Sequence, residues 1–251
     1  MLSSILWSSL FFLNLGQVQD PQPDGSTSSY YKIESIHIPT GFDDNDDAEV
    51  VVTGEFPNDC WKIEVVEKKQ TDDGFDLKLK ARKWQAFCAD KMSPFLKKVS
   101  LGYLKKGIYS ISNDGQKVGS LGVRAAKFKT EDDYQYANID SAKIRYVFDK
   151  DKQKIEKRFL VIRGEFPNAC YQLAKNPPVD LLSESSLGLI EILPVIERND
   201  RLSKNCGEPV EFEEPILLPD HLNGKMLFYI RNESSHEENS IAKFFRLQSV
   251  N

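Results

Sequence analysis

The amino-acid sequence predicts an all-β protein: two tandem antiparallel β-sandwich domains of immunoglobulin-like topology, each closed by one disulfide. Three observations lead to this prediction: a duplicated seven-residue motif, period-two alternation of apolar and polar residues, and one pair of cysteines in each copy. The chain has 251 residues, which is enough for two domains of ordinary size. Helical periodicity is almost absent, so an all-β architecture is favoured.

The composition is that of a folded globular protein and narrows the class of partner. Charged residues make up 28% of the chain and hydrophobic residues 40%, which excludes collagen-like and broadly disordered classes. The formal net charge is -5 and the isoelectric point is near 5.4. Because nucleic-acid binding requires a concentrated basic surface, we expect no nucleic-acid partner.

The N-terminal region predicts export from the cytoplasm. Residues 1–16 are interpreted as a signal peptide, because the stretch from Ile5 to Leu15 is largely apolar, uncharged and shorter than the roughly 20 residues of a spanning helix. Residues 17–29 are polar and rich in Pro, Gly and Ser, which indicates a flexible linker. The alternative is a buried N-terminal helix. We expect a periplasmic or secreted protein with no membrane span in the mature chain.

An internal repeat determines the predicted domain organisation. The motif Gly54-Glu55-Phe56-Pro57-Asn58-Asp59-Cys60 recurs as Gly164-Glu165-Phe166-Pro167-Asn168-Ala169-Cys170, identical at six of seven positions and offset by 164 − 54 = 110 residues. That period is longer than the 20–50 residues of solenoid repeats and matches a duplicated domain. We place the domains at residues 30–128 and 136–251, joined by a linker at 129–135.

Each copy of the motif predicts a strand, a turn and a second strand. In this interpretation the glycine ends the incoming strand and the proline fixes φ. The asparagine either adopts left-handed geometry or caps the bend with its own side chain, and the phenylalanine packs beneath it. A structural role is therefore predicted for Gly54, Pro57, Asn58, Gly164, Pro167 and Asn168.

Further strands follow the motif in both copies. The first copy predicts a strand at Val99 to Leu104 and a hairpin turning at Asn113-Asp114-Gly115, since Asp-Gly is a strong turn signal. The second predicts a strand at Pro215 to Leu218 and a hairpin formed by Met226 to Arg231 and Ile241 to Leu247. A phase change before Trp84 indicates a bulge or strand break. About seven short strands per copy suggest the sandwich.

The repeat also selects the disulfides. Four cysteines allow three pairings. Pairing Cys60 with Cys88 and Cys170 with Cys206 keeps each domain self-contained, with separations of 88 − 60 = 28 and 206 − 170 = 36 residues. Loops of this size stabilise a fold by about 3–4 kcal/mol each in the chain-entropy model.

The motif resembles a known group of modules. Gly-x-Phe-Pro-Asn-x-Cys followed by an aromatic residue, a second cysteine, an apolar strand and Gly107-Ile108-Tyr109 is similar to small β-sandwich modules of bacterial cell-envelope proteins and lipoproteins. The second copy only roughly replaces the Gly-x-Tyr strand. No cysteine lies near the N-terminal apolar stretch, so the resemblance implies a soluble periplasmic or secreted form. It implies no particular reaction.

The sequence contains no recognisable catalytic pattern. His37, His221 and His236 fall on different predicted elements, and the common metalloprotease, hydrolase and thiol-redox spacings are missing. Oxidised cysteines cannot act as nucleophiles or zinc ligands, because both roles need the thiolate. We therefore expect a protein that is not an enzyme and has no cofactor or metal.

Three other features have a structural interpretation. The acidic run of residues 43–49 lacks the Gly and Glu of an EF-hand, so a solvated hairpin loop is favoured over a calcium site. Trp61 and Trp84 are each near a cysteine and are expected in the core rather than on a sugar-stacking surface. The sequon Asn232-Glu233-Ser234 matters only in a glycosylating host.

The leading functional hypothesis is an exported, non-enzymatic binding or assembly protein of the cell envelope. Its partner would be another envelope or extracellular protein, contacted through loops or sheet edges. A carbohydrate-binding module is the first alternative and requires exposed aromatic residues along one sheet face. A secreted protease inhibitor is the second and requires one protruding ordered loop.

Overall fold

A computed structural model describes residues 26–84, 87–127, 134–149, 154–175, 182–184, 188–199, 201, 206–232 and 240–249. These residues form strands, turns and irregular segments. The strands are β1 Thr27–Tyr31, β2 Ser35–His37, β3 Phe42–Asp43, β4 Asp47–Phe56, β5 Trp61–Gln70, β6 Gly74–Lys83, β7 Ser93–Tyr103, β8 Gly107–Asn113, β9 Gln116–Arg124, β10 Asn138–Asp149, β11 Lys154–Phe166, β12 Tyr171–Leu173, β13 Leu182–Glu184, β14 Leu189–Ile192, β15 Ile196–Arg198, β16 Val210–Leu217, β17 Gly224–Arg231 and β18 Ser240–Leu247.

Several sequence predictions concern segments outside the described residues. These segments are the signal peptide at 1–16, residues 17–25 of the first linker and residues 129–133 of the linker between the halves. The first linker was predicted too long, because β1 begins at Thr27 and pairs with β6. Within the described part of the chain, no helix is long and apolar enough to cross a membrane.

The first half of the chain forms a β-sandwich. In sheet I, β6 pairs with β5 on one side and with β1 and β8 on the other, and the sheet continues through β9 to β3. In sheet II, β4 lies between β2 and β7. Leu77 and Ile111 of sheet I and Val50 and Val52 of sheet II are buried in one core between the sheets.

The second half repeats this topology. Sheet III has the order β13-β14-β17-β18 and sheet IV the order β10-β11-β16. The parallel pair β6–β8 recurs as β14–β17, and the antiparallel pair Trp61↔Lys83 recurs as Tyr171↔Arg198 between β12 and β15. The predicted fold class is confirmed: the chain is an all-β protein of two β-sandwiches. Most strand pairs are antiparallel, and β3–β9, β6–β8 and β14–β17 are parallel.

The predicted hairpins are present, and two strands start earlier than expected. β8 and β9 turn at Asp114 and Gly115, which have φ values of 50° and 77°, as a tight two-residue hairpin turn requires. β7 begins at Ser93 rather than Val99, and β16 at Val210 rather than Pro215. The missed residues mix apolar side chains such as Phe95 and Phe212 with Pro, Lys and Glu, so alternation alone does not mark the strand start, which is set by cross-strand pairing to β4 and β11.

The motif glycines lie inside strands, so the prediction that they end the incoming strands was wrong. Gly54 belongs to β4 and Gly164 to β11, and neither has a positive φ. Each glycine instead leaves room for a neighbour. A Cβ on Gly54 would lie 2.5 Å from the Phe95 ring, and a Cβ on Gly164 would lie 1.8 Å from the carbonyl oxygen of Asn138.

Sheet II of the first half packs against sheet III of the second. The Tyr229 hydroxyl of β17 donates to the Glu49 carboxylate of β4 at 2.7 Å, and Leu227 and Tyr229 belong to the same apolar cluster as Val51. Because side chains alternate along a strand, Phe228 and Ile230 face the other way into the second core. The four sheets are therefore stacked in the order I, II, III, IV.

The acidic run is partly buried, with Asp44 exposed, so the prediction of a solvated loop was wrong for three of its carboxylates. Asp43, Asp46 and Glu49 are all buried. Asp46 accepts a hydrogen bond from the Asp43 amide at 3.0 Å and from the Arg231 guanidinium at 2.9 Å. Arg231 is itself buried and lies 4.4 Å from the centre of the Phe42 ring. The buried carboxylates of this run, which were predicted to lie on a solvated loop, thus join the two sandwiches.

A second polar contact crosses the same interface. The Glu191 carboxylate of β14 accepts hydrogen bonds from the Thr40 amide at 2.9 Å and the Thr40 hydroxyl at 2.8 Å. Burial raises the pKa of Glu191, and these hydrogen bonds oppose the rise. Burial, assisted by the nearby Glu49 charge, also raises the pKa of Tyr229. The Tyr229 hydroxyl therefore keeps its proton and acts as a donor.

Candidate binding loop

Both predicted disulfides are present. Cys60 bonds to Cys88 and Cys170 to Cys206, with Cα atoms 5.4 and 5.0 Å apart, and all four cysteines of the chain are used. In each half the first cysteine lies in the motif turn. The second lies further along the chain, between β6 and β7 in the first half and between β15 and β16 in the second. Each disulfide therefore fastens a loop to the end of its sandwich.

The motif turn is built as the sequence predicts after the glycine. The Asn58 side-chain oxygen accepts the Cys60 amide hydrogen bond at 3.2 Å, and Asn168 does the same for Cys170 at 3.0 Å. These are Asx turns, in which a side chain replaces a backbone acceptor. Phe56 is buried beneath the first turn, 4.6 Å from the Phe95 ring centre. The same side-chain-to-backbone hydrogen bond therefore forms the turn in both halves.

The most exposed apolar side chains near a disulfide lie in the segment that we name the Phe87 loop. It comprises residues 84–92, between β6 and β7, of which 84 and 87–92 are described. Phe87 is 109% exposed, Met92 52% and Trp84 38%. Single exposed apolar residues are common on protein surfaces, whereas several in one short loop are typical of an interaction site.

Trp61 and Trp84 differ in environment, and the prediction of a core position was wrong for Trp84. Trp61 is half-buried and packs on Tyr31 and Phe56, with ring centres 5.5 and 6.2 Å away. Trp84 lies beyond the end of β6, where the strand pattern breaks, and the Arg82 guanidinium is 5.9 Å from its ring centre. The phase change in the sequence thus marks the exit from the sheet into the loop.

Three connections fasten the Phe87 loop to the sandwich. The Trp84 amide donates to the Cys60 carbonyl at 3.0 Å, and Cys88 is bonded to Cys60. The Ala89 amide donates to the Asp59 carboxylate at 2.9 Å. The loop is therefore held at its start, at Cys88 and at Ala89, while the Phe87 side chain faces solvent.

The matching loop of the second half has a different character. Residues 199–209 contain a single large apolar residue, Leu202, which lies outside the described part, and are otherwise polar or small. The loop starts with the same bond, from the Asn199 amide to the Cys170 carbonyl at 2.7 Å. One copy of the fold thus closes without exposed aromatic residues in this loop. Trp84, Phe87 and Met92 are therefore not a requirement of the architecture.

Other candidate sites are less well supported by the structure. Tyr30, Tyr103 and Phe148 are exposed but lie on sheets I, II and IV, so they form no single row for a sugar. Among the described residues, no three His, Cys, Asp or Glu side chains are grouped to hold a metal. A shallow concavity of about 600 Å³ surrounds Gly224 and Arg246.

The histidines and the sequon also have structural positions. His37 is buried with Nε2 3.3 Å from the Thr53 hydroxyl, and burial lowers its pKa. His221 is exposed in the turn after β16, and residue 236 is outside the described part. Asn232 is buried: its oxygen accepts the Ile139 amide hydrogen bond at 2.7 Å, and its amide nitrogen donates to the Ile139 carbonyl at 3.3 Å.

The structure thus places the chain among β-sandwich proteins. It has two sandwiches, each closed by a disulfide, and an exposed apolar loop. Residues 50–123, which start within β4 and stop one residue before the end of β9, match a family model described as the ORF11 beta-sandwich domain. This segment is therefore similar to that domain, and it contains the Phe87 loop. Comparison with curated proteins and with solved structures gave no match.

Sequence reasoning did not select the Phe87 loop, although a signal was available. The duplication allows the two loops to be compared directly, and only the first carries two aromatic residues and a methionine around its cysteine. The Phe87 loop has apolar residues where the matching loop of the second half is mostly polar. This difference indicates a function beyond folding.

Proposed function

We propose that this chain is an exported, non-enzymatic binding or assembly protein of the cell envelope that contacts a partner protein through the Phe87 loop. The observation that carries the proposal is the exposure of Trp84, Phe87 and Met92 in one disulfide-anchored loop. Aromatic anchors of this kind dominate the binding energy of protein interfaces. A loop already fastened to a rigid sheet also loses less conformational entropy on binding.

Two further observations support the proposed location. All four cysteines form disulfides, which persist in oxidising compartments such as the periplasm or the extracellular space. The apolar, uncharged start of the chain is the second. The similarity of the motif to envelope modules points to the same compartment.

Site-specific photo-crosslinking tests this proposal. p-Benzoylphenylalanine in place of Phe87 is expected to give an adduct with a distinct protein when native cells are irradiated. Tyr103 is the matched control, because it is also a well-exposed aromatic residue of the same half, at the end of β7. We expect adduct yield at position 103 to be about tenfold lower, as for a residue outside a hot spot.

The adduct at position 87 should also depend on the rest of the loop. Adding Met92→Ser should reduce its yield without lowering the thermal midpoint, because about half of that side chain is exposed. Equal yields at positions 87 and 103, or no adduct at either, would contradict the proposal.

A secreted protease inhibitor is the second candidate, because Phe87 immediately precedes a disulfide-bonded cysteine in a protruding loop. This function predicts stoichiometric inhibition of a chymotrypsin-like protease that is lost on Phe87→Ala. Rapid cleavage of the loop without inhibition would exclude it.

A further inference from the structure

The two copies of the motif differ at a single position, and that position contacts the loop. Asp59 of the first copy is replaced by Ala169 in the second, while the other six residues are identical. Asp59 is exposed and lies between the capping residue Asn58 and Cys60. Neither the core nor the Asx turn uses its carboxylate, since the second copy forms the same turn with alanine.

The Asp59 carboxylate is bonded to the Phe87 loop directly beyond the disulfide. It accepts the hydrogen bond of the Ala89 amide at 2.9 Å, and Ala89 follows Cys88. In the second half the corresponding hydrogen bond is donated by the motif turn and accepted by the loop. The Ala169 backbone amide donates to the carbonyl of Cys206, again at 2.9 Å.

This difference changes how each loop is held. A disulfide alone allows rotation about its single bonds, so it fixes the distance of Cys88 from the turn but not the direction of the flanking chain. A charge-assisted hydrogen bond one residue later removes much of that freedom. Phe87 and Ala89 flank Cys88, so fixing the Ala89 amide also limits the direction of the Phe87 side chain.

We infer that Asp59 is a positioning residue that holds the Phe87 loop in the conformation presenting Phe87 to a partner. This inference rests on the proposed function for its biological meaning, but the ordering of the loop can be measured without any partner. The alternative is that Asp59 makes an ordinary surface hydrogen bond with no effect on recognition.

The test compares three variants of the full chain. Asp59→Ala makes the first motif identical to the second, Asp59→Asn keeps an acceptor oxygen, and Ala169→Asp is the matched control in the other half. In Asp59→Ala we expect hydrogen exchange at the Ala89 amide to rise about tenfold, the loss expected for one charge-assisted hydrogen bond. Asp59→Asn should exchange about threefold faster than the native chain, because a neutral hydrogen bond is about half as strong as a charge-assisted one, and Ala169→Asp should have no effect at Ala89.

Partner recognition is measured in the same variants as the yield of the photo-crosslinked adduct from position 87. Asp59→Ala should reduce adduct yield about fivefold while the thermal midpoint stays within about 2 °C of the native chain, because the residue is exposed. Unchanged exchange at Ala89, or faster exchange with an unchanged adduct yield, would overturn the inference. If the native chain gave no adduct, the proposed function would fail, and the exchange data would still decide whether Asp59 orders the loop.

Discussion

Replacing Gly164 with alanine is expected to lower the free energy of unfolding by about 3–5 kcal/mol, in the range reserved for severe core changes. The added methyl carbon would lie 1.8 Å from the Asn138 carbonyl oxygen and 3.0 Å from the Ile139 Cα. Both atoms belong to the backbone of β10, which cannot move away by a rotamer change. The bulge at Asp140, between Ile139 and Ser141, fixes that backbone against β11.

Gly54→Ala is the matched control for this prediction. Its methyl carbon would meet the ring of Phe95 at 2.5 Å, which is a side chain and can rotate at a cost of about 1–2 kcal/mol. Denaturant midpoints of the two variants provide the comparison. A larger loss for Gly54→Ala than for Gly164→Ala would show that close approach of β10 is not what requires glycine in the second motif.

Arg231→Met is expected to cost about 3–5 kcal/mol, because it removes the cation beside a buried carboxylate. The Asp46 side chain would remain buried without the guanidinium that now lies 2.9 Å away. Arg82→Met is the control, since the Arg82–Glu64 ion pair is partly exposed and pairs of this kind contribute little to stability.

Tryptophan fluorescence can show whether the loss of stability caused by Arg231→Met extends to the first half of the chain. The described tryptophans, Trp61 and Trp84, lie in the first half, whereas Arg231 lies in the second. If docking couples the two sandwiches, Arg231→Met will shift the tryptophan-detected midpoint together with the far-UV signal. A shift in the far-UV signal alone would mean that the halves unfold independently. Restoration of stability by adding Asp46→Asn would confirm that the uncompensated charge is the cause.

The duplication explains why so much of the fold was predictable. A repeated motif locates two domains and pairs the cysteines, and alternation predicts strands whose inner faces are apolar, as in β6. The Asx turns at Asn58 and Asn168 were predictable because their chemistry is local. The same holds for the β8–β9 hairpin at Asp114-Gly115.

Features that depend on contacts distant in sequence were not predictable in this way. The acidic run appears solvated until Arg231, 185 residues after Asp46, lies against it. The roles of Gly54 and Gly164 depend on Phe95 and Asn138, which no turn rule identifies. The exposure of Trp84 depends on where β6 ends, a boundary that alternation fixes only to within a few residues.

The buried side chain of Asn232 has a practical consequence for producing the protein. Both ends of its amide are bonded to the backbone of Ile139, at the start of β10. Attachment of a sugar to that nitrogen in a eukaryotic secretory pathway would add a bulky hydrophilic group. This group would occupy the space that the start of β10 fills in the folded protein. Glycosylation precedes folding in that pathway, so the modified chains would fail to close the second sandwich. Ser234→Ala removes the acceptor sequence, keeps Asn232 and should restore secretion of folded protein from such a host.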